Sequence, residues 1–153
     1  MKTPQNIVVL GGGFAGLWSA LGAARQRDES GLGPEDMEIT LVSRDPWHAI
    51  RVRNYEADIS DARLPLDTVL DPVRVRRIEG EVIALSPHSR TVSVQTATDT
   101  QTLSYDRLVF ALGSRLRRPF LPGLAAYAFD VDTYVGAERL GEHLRSLSVR
   151  PAT

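Results

Sequence analysis

Residues 6–25 read NIVVLGGGFAGLWSALGAAR: an apolar run, three consecutive glycines, then apolar residues at helical spacing. Ile7 to Leu10 suits a parallel strand buried on both faces, because such strands are continuously apolar rather than alternating. Beyond the glycines, Phe14, Leu17, Trp18, Leu21 and Ala24 form one stripe of a helix that ends near Arg27, where the polar stretch from Asp28 to Asp36 reads as a loop. MEITLV, Met37 to Val42, is aliphatic and β-branched and forms a second strand. Strand, glycine turn, helix and strand make a βαβ unit. Gly11, Gly13 and Gly16 fit G-x-G-x-x-G at its first turn: Gly11 for the tight turn, Gly13 for close approach of a pyrophosphate, Gly16 for helix–strand packing. The first helical amides, those of Phe14 and Ala15 included, and the positive end of the helix dipole favour an anion there. A glycine turn without a ligand is the alternative reading.

In such units an acidic residue at the end of the second strand accepts hydrogen bonds from an adenosine ribose. Here Ser43 stands at that place, followed by Arg44 and Asp45. Ser43 can make one hydrogen bond, Arg44 can lie against an adenine or meet a phosphate, and Asp45 before Pro46 reads as a surface turn residue. The absence of the carboxylate weakens a reading as an NAD site.

From Pro46 to Arg63 the periodicity is poor, which predicts irregular or short helical structure, and LPLDTVL, Leu64 to Leu70, predicts one short helix. Val73 to Ile83, Arg90 to Thr96 and Gln101 to Tyr105 are β-prone runs separated by polar turns and predict an antiparallel meander. RLVFAL, Arg107 to Leu112, returns to the buried-strand type and ends on Gly113. Thr133 to Leu147 predicts a helix with Val135, Leu140, Leu144 and Leu147 on one side and Asp132 or Thr133 as N-cap.

The chain has 153 residues, is 42% hydrophobic and carries a formal net charge of -1, so one domain with a real core is expected and no global attraction to nucleic acid or anionic lipid. With no cysteine, disulfides, thiolate nucleophiles and iron–sulfur ligation are excluded, and electron-transfer chemistry needs a bound cofactor. The three histidines, His48, His88 and His143, show no metal-ligand spacing, so no metal site is expected. Arg74, Arg76 and Arg77, like Arg115, Arg117 and Arg118, read as solvated faces and ion pairs, and Asp106 as an anchor for the return into the sheet. The N-terminus lacks the pattern of a signal peptide and no apolar run approaches the roughly 20 residues of a membrane-spanning helix, so a cytoplasmic chain is expected.

GGGFAG at residues 11–16 and YDRLVFALG at residues 105–113 together resemble the FAD-binding half of the pyridine nucleotide-disulfide oxidoreductase superfamily. The resemblance extends from Asn6 to about Leu147. It implies an α/β fold, a Rossmann-like FAD-binding domain with a parallel sheet, flanking helices and an inserted antiparallel β-meander. It implies further that Gly11, Gly13, Phe14, Ala15 and Gly16 hold the pyrophosphate and that Ser43 and Arg44 lie on the adenosine side. In GEV, residues 80–82, the Val82 backbone is expected to meet the adenine, and Ala111, Leu112 and Gly113 lie on the flavin side. The family's second motif ends Ala-Thr-Gly, and Leu112 replaces the threonine here.

Within the superfamily the chain looks like the type II NADH dehydrogenases, which also lack the redox-active cysteine pair. HAIRVRNYEAD, residues 48–58, offers His48, Ile50 and Tyr55 in the order those enzymes show, without the usual proline before the tyrosine. His48 and Tyr55 are therefore candidates for the flavin side, against plain readings as a turn histidine and a core or surface tyrosine. No catalytic residue is assigned. The expected domain spans residues 1–147, incomplete, with 148–153 starting a linker to an NAD(P)H-binding domain. The longer enzyme would take NAD(P)H as co-substrate and pass electrons through FAD to a quinone, attached peripherally, if at all, at the inner face of a membrane. A ferredoxin- or rubredoxin-reductase-like flavoprotein and a non-catalytic nucleotide-binding fragment are the alternatives. A single NAD-binding Rossmann domain is disfavoured by Ser43 and the meander.

Overall fold

The alternating faces of a β-strand explain why Ile7 to Leu10 is apolar throughout. In the computed structural model, which describes residues 4–147, β1 (Gln5–Leu10) turns Val9 to one face of a parallel sheet and Val8 and Leu10 to the other, and all three are buried. Along the chain follow α1 (Phe14–Glu29), β2 (Met37–Ser43), β3 (Trp47–Ala49), β4 (Arg63–Pro65), α2 (Asp67–Leu70), β5 (Arg76–Glu79), β6 (Glu81–Ser86), β7 (Thr91–Gln95), β8 (Thr100–Ser104), β9 (Arg107–Phe110), α3 (Leu124–Tyr127) and α4 (Tyr134–Ser146). Turns of 3-10 helix lie at Arg51–Arg53 and Asp71–Val73. The chain divides into two compact units, Met1–His48 with Pro65–Gly113, and Ala49–Leu64 with Ser114–Thr153.

The first unit is built on a parallel sheet in the order β5-β2-β1-β9. On one face Val9, Ile39 and Leu41 pack against Leu17, Ala20 and Ala24 of α1 and against Leu66, Leu70 and Val75. On the other, Val8, Leu10, Val42 and Ile78 meet Val92 and Val94 of the antiparallel sheet β6-β7-β8. In β7 the buried Val92 and Val94 alternate with Thr91, Ser93 and Gln95, the period-two pattern of a strand with one covered face. Full burial of each such aliphatic side chain contributes about 1.5–3 kcal/mol. Asp106 does anchor the return into the sheet: the Asn6 amide donates to its carboxylate at 2.8 Å and its own amide donates to the Asn6 carbonyl at 2.8 Å.

Several expectations need correction. The buried stripe of α1 is Gly16, Leu17, Ala20, Ala24 and Arg27, while Phe14 and Trp18 face outward. Small residues at i, i+4 and i+8 (Gly16, Ala20, Ala24) set the helix close to the sheet, and the larger rings are turned away. Arg27, wholly buried, donates from Nη2 to the Val73 carbonyl at 2.7 Å and from Nη1 to the Arg74 carbonyl at 3.4 Å, so α1 ends tied to the turn before β5.

The run from Val73 to Ile83 is two strands rather than one meander strand. It breaks at Gly80, whose amide donates to the Ser43 carbonyl at 2.9 Å; β5 joins the parallel sheet and β6 opens the meander. A Cβ at Gly80 would lie 2.6 Å from Val94 Cγ1, so the break needs a glycine. β9 ends the sheet as an edge strand, with Phe110 65% exposed, instead of lying buried. Between Pro46 and Arg63 the chain forms β3, the turn at Arg51–Arg53 and the start of β4, and the LPLDTVL helix shrinks to the four residues of α2.

The second unit has few buried side chains. Arg51 pairs with Asp132, Arg118 pairs with Asp130, and Asn54 Nδ2 donates to the Val131 carbonyl at 3.1 Å. The Arg63 guanidinium lies 3.9 Å from the Tyr134 ring centroid, and Phe129 stacks on His143 with centroids 4.9 Å apart. Thr133, not Asp132, caps α4, its Oγ1 accepting from the Gly136 amide at 3.0 Å. The expected apolar side of α4 is not covered: Val135, Leu144 and Leu147 are exposed and Ala137 is its buried residue. The expected linker at 148–153 lies outside the described residues.

Candidate nucleotide-binding site

The glycine turn joins β1 to α1 and is locked from both sides. Gly11 has φ +111°, a backbone conformation in which a side chain is strained, and a Cβ there would stand 2.2 Å from the Ala111 carbonyl oxygen. A Cβ on Gly16 would stand 1.8 Å from the Gly11 carbonyl oxygen, so the first turn of α1 can approach the loop only as glycine. The Gly11 amide donates to the Val42 carbonyl at 2.8 Å and the Ala111 amide to the Leu10 carbonyl at 2.9 Å, which fixes the loop between the ends of β2 and β9. By contrast, nothing lies within 4 Å of a Cβ built on Gly13. That is the open side of the loop.

α1 begins with Gly13 as N-cap, makes no side-chain cap hydrogen bond and has no acidic residue in its first turn. A capping Ser, Thr, Asn or Asp would contribute about 1 kcal/mol. Its absence leaves the first helical amides, those of Phe14, Ala15 and Gly16, without intrahelical partners and aimed past the helix end. This is an anion-binding arrangement.

The floor of the loop is Gly12, where a Cβ would stand 2.8 Å from Ser43 Oγ and 2.8 Å from Leu66 Cδ1. His48, 4% exposed, sets Nδ1 2.8 Å from the Gly12 carbonyl oxygen and meets the edge of Phe14 with ring centroids 4.7 Å apart. The turn between β2 and His48 is held by the Trp47 amide donating to Asp45 Oδ1 at 3.1 Å, so the Asp45 carboxylate serves its own turn.

Beside the end of β2 lies an open cavity of about 860 Å³ whose wall includes Arg44, Arg77, Glu79, Gly80, Glu81 and Gln95. Arg77 donates to both carboxylate oxygens of Asp67, at 2.5 and 2.9 Å, and to Glu79 at 3.0 Å. These bonds hold the Asp67 carboxyl below the ordinary carboxylate range and raise Arg77 further above neutrality. Among the described residues Arg44 is an exposed cation on this wall with no ion pair.

The structure thus brings Gly11, Gly13, Phe14, Ala15, Gly16, Ser43, His48 and Ala111 around one loop, with Leu112 and Gly113 following Ala111 beyond β9. Arg44 lines the neighbouring cavity; Val82 turns its side chain into the core and leaves the cavity wall to Gly80 and Glu81. Tyr55 belongs to the second unit and is 76% exposed. Sequence reasoning missed Gly12 and Leu66, and it named Gly80 only as the first residue of the GEV motif. Gly12 carried a signal, as the third glycine of the run at a position the motif leaves free. No group of His, Asp and Glu residues suited to a metal ion occurs among the described residues.

Residues 5–149 match the family model of the pyridine nucleotide-disulphide oxidoreductases. An NADH dehydrogenase-like protein of Mycobacterium tuberculosis is 50% identical over 148 residues, covering 97% of this chain and 36% of the relative. A type II NADH:quinone oxidoreductase of Staphylococcus saprophyticus is 24% identical over 145 residues, covering 92% of this chain and 34% of the relative. The crystal structure of the sulfide:quinone oxidoreductase from Aquifex aeolicus superposes with a TM-score of 0.79 at 24% identity, over 96% of this chain and 33% of that one, which shows a shared fold. The chain spans about a third of the length of these relatives. From the locked glycine turn to the match over residues 5–149, it belongs to the pyridine nucleotide-disulphide oxidoreductase family.

Proposed function

We propose that the chain is the FAD-binding portion of an NAD(P)H-oxidising flavoprotein oxidoreductase that delivers electrons from NADH to a quinone. The observation that carries this reading is the uncapped start of α1 behind a glycine loop locked against Ala111 and open at Gly13. The residues fit the cofactor. The amides of Gly13 to Gly16 would hold the pyrophosphate, Ser43 and Arg44 the adenosine side beside the backbone at Val82, and Ala111 to Gly113 the flavin side. His48 and Tyr55 remain the flavin-side candidates from the resemblance. FAD, when bound, supplies hydride acceptance and electron release, chemistry that no side chain of this cysteine-free chain provides.

The protein's own part would be to bind and orient: fixed amides would meet the phosphates, and the neutral Ser43 would make one hydrogen bond where a carboxylate would make two. The names of the relatives support NADH and quinone as the longer protein's substrates. No helix among the described residues is long and apolar enough to cross a membrane. The test is to incubate the purified chain with FAD, desalt it and record its absorbance. Flavin bands that travel with the protein are expected; a colourless protein that also fails to bind ADP in calorimetry would overturn the reading.

A further inference from the structure

We propose that His48 is a positioning residue that sets the phosphate-facing peptide of the glycine loop, an inference that rests on the nucleotide reading above. The peptide between Gly12 and Gly13 is flanked by two residues without Cβ, so no side chain of its own restrains its rotation. Because a peptide is planar and trans, its carbonyl and its N–H point in opposite directions. The Gly12 carbonyl is drawn to His48 Nδ1 at 2.8 Å, which sends the Gly13 N–H the other way. A flipped peptide would turn a carbonyl oxygen toward the anion and remove a donor. His48 opposes that flip.

The ring itself is fixed. It is 4% exposed, Phe14 from the first turn of α1 meets it edge to face at 78°, and its backbone lies in β3 directly after the turn held by Asp45. A carbonyl accepts, so Nδ1 carries the proton and, in the neutral ring, Nε2 carries the lone pair. The same side chain thus binds the loop's floor and touches the helix that begins at its end. Its sequence position, 36 residues after Gly12, gives no local hint of this.

The experiment uses the full chain and three variants, His48→Leu, His48→Asn and His48→Gln, each checked for folding by circular dichroism. Affinities for ADP and for adenosine are read by NMR titration, and the imidazole tautomer by long-range proton–nitrogen correlation. We expect a proton on Nδ1, hydrogen-bonded to the Gly12 carbonyl. His48→Leu should lose on the order of tenfold in ADP affinity while adenosine binding is unchanged, the worth of one well-placed hydrogen bond. Asn, whose amide nitrogen falls where Nδ1 was, should restore most of the loss, and Gln, which mimics Nε2, should not. A ring whose Nδ1 carries no proton, wild-type ADP affinity in His48→Leu, or equal losses for ADP and adenosine would each overturn the proposal. If the wild-type chain shows the Nδ1 tautomer but binds neither ligand, the nucleotide reading fails and the proposal with it.

Discussion

In the first unit Val9, Leu10, Ile39, Leu41 and Leu66 are shut away from solvent, whereas in the second Val52, Tyr55, Leu116, Leu121 and Tyr127 stand exposed and Phe120 is 99% exposed. Both stretches are rich in apolar side chains; what differs is whether a second layer covers them. The parallel sheet has a helix on one face and a meander on the other, so each apolar residue removes water. The second unit relies on separate polar links: Arg51 to Asp132, Arg118 to Asp130, Asn54 to Val131 and the Thr133 cap. Exposed ion pairs of this kind contribute about 0–1 kcal/mol each. Burial is therefore concentrated where the glycine loop is held, and the second unit should open first.

The contrast is testable in order of effect. Leu41→Ala removes a fully buried side chain from the sheet and should cost about 2–5 kcal/mol in urea unfolding, whereas Phe120→Ala should stay within about 0.5 kcal/mol. Comparable losses would break the distinction between the units. A smaller gap should separate two arginines. Arg27→Met removes the buried donor that serves the half-buried Val73 carbonyl and should cost about 1–3 kcal/mol, while Arg51→Ala, cutting an exposed pair, should cost less than about 1 kcal/mol by the same measurement. Amide hydrogen exchange would sharpen this: β1 and β2 should exchange only through global unfolding, and α4 much sooner.

The smallest effect is that of pH. Arg77 lowers the Asp67 carboxyl in the first unit, and in the second Arg53 lowers Glu56 and the Ser60 backbone amide lowers Asp58. Carboxyls with folded values below their unfolded ones contribute stability that is present above the ordinary carboxylate range, near pH 4, and is lost as pH falls through the lowered folded values. Melting temperature should thus fall modestly on acidification, both units sharing the loss because each holds a lowered carboxyl. In Arg77→Ala the drop should be shallower, and an unchanged profile would remove the Arg77 pair from this account.

What was legible in the sequence was local. The glycine spacing and the apolar runs on either side located β1, α1 and β2 to within about two residues, because turn, helix period and strand composition are set by near neighbours. The angle at which α1 faces the sheet was not, since Gly16 against the Gly11 carbonyl decides it and a hydrophobic stripe does not. The division of β5 from β6 depends on partners in β2 and β7, remote in sequence. The helix end near Arg27 was legible but the role of its side chain was not, because the carbonyls it serves lie 46 and 47 residues further on. At the candidate site, Ser43 ends β2 and Ala111 follows β9, positions that strand composition alone locates, but the bond from His48 to Gly12 joins two segments whose patterns say nothing of each other.

The two borders of the parallel sheet are unlike. β5 carries Arg76 and Arg77, with Glu38, Asp67 and Glu79 paired to them, a fringe of charge that discourages another strand from aligning there. β9 offers Leu108, Val109 and the exposed Phe110 along its backbone. Extension of the sheet is therefore disfavoured at β5, and the backbone of β9, directly beside Ala111 and the mouth of the glycine loop, is the border that a further strand would meet without that fringe of charge.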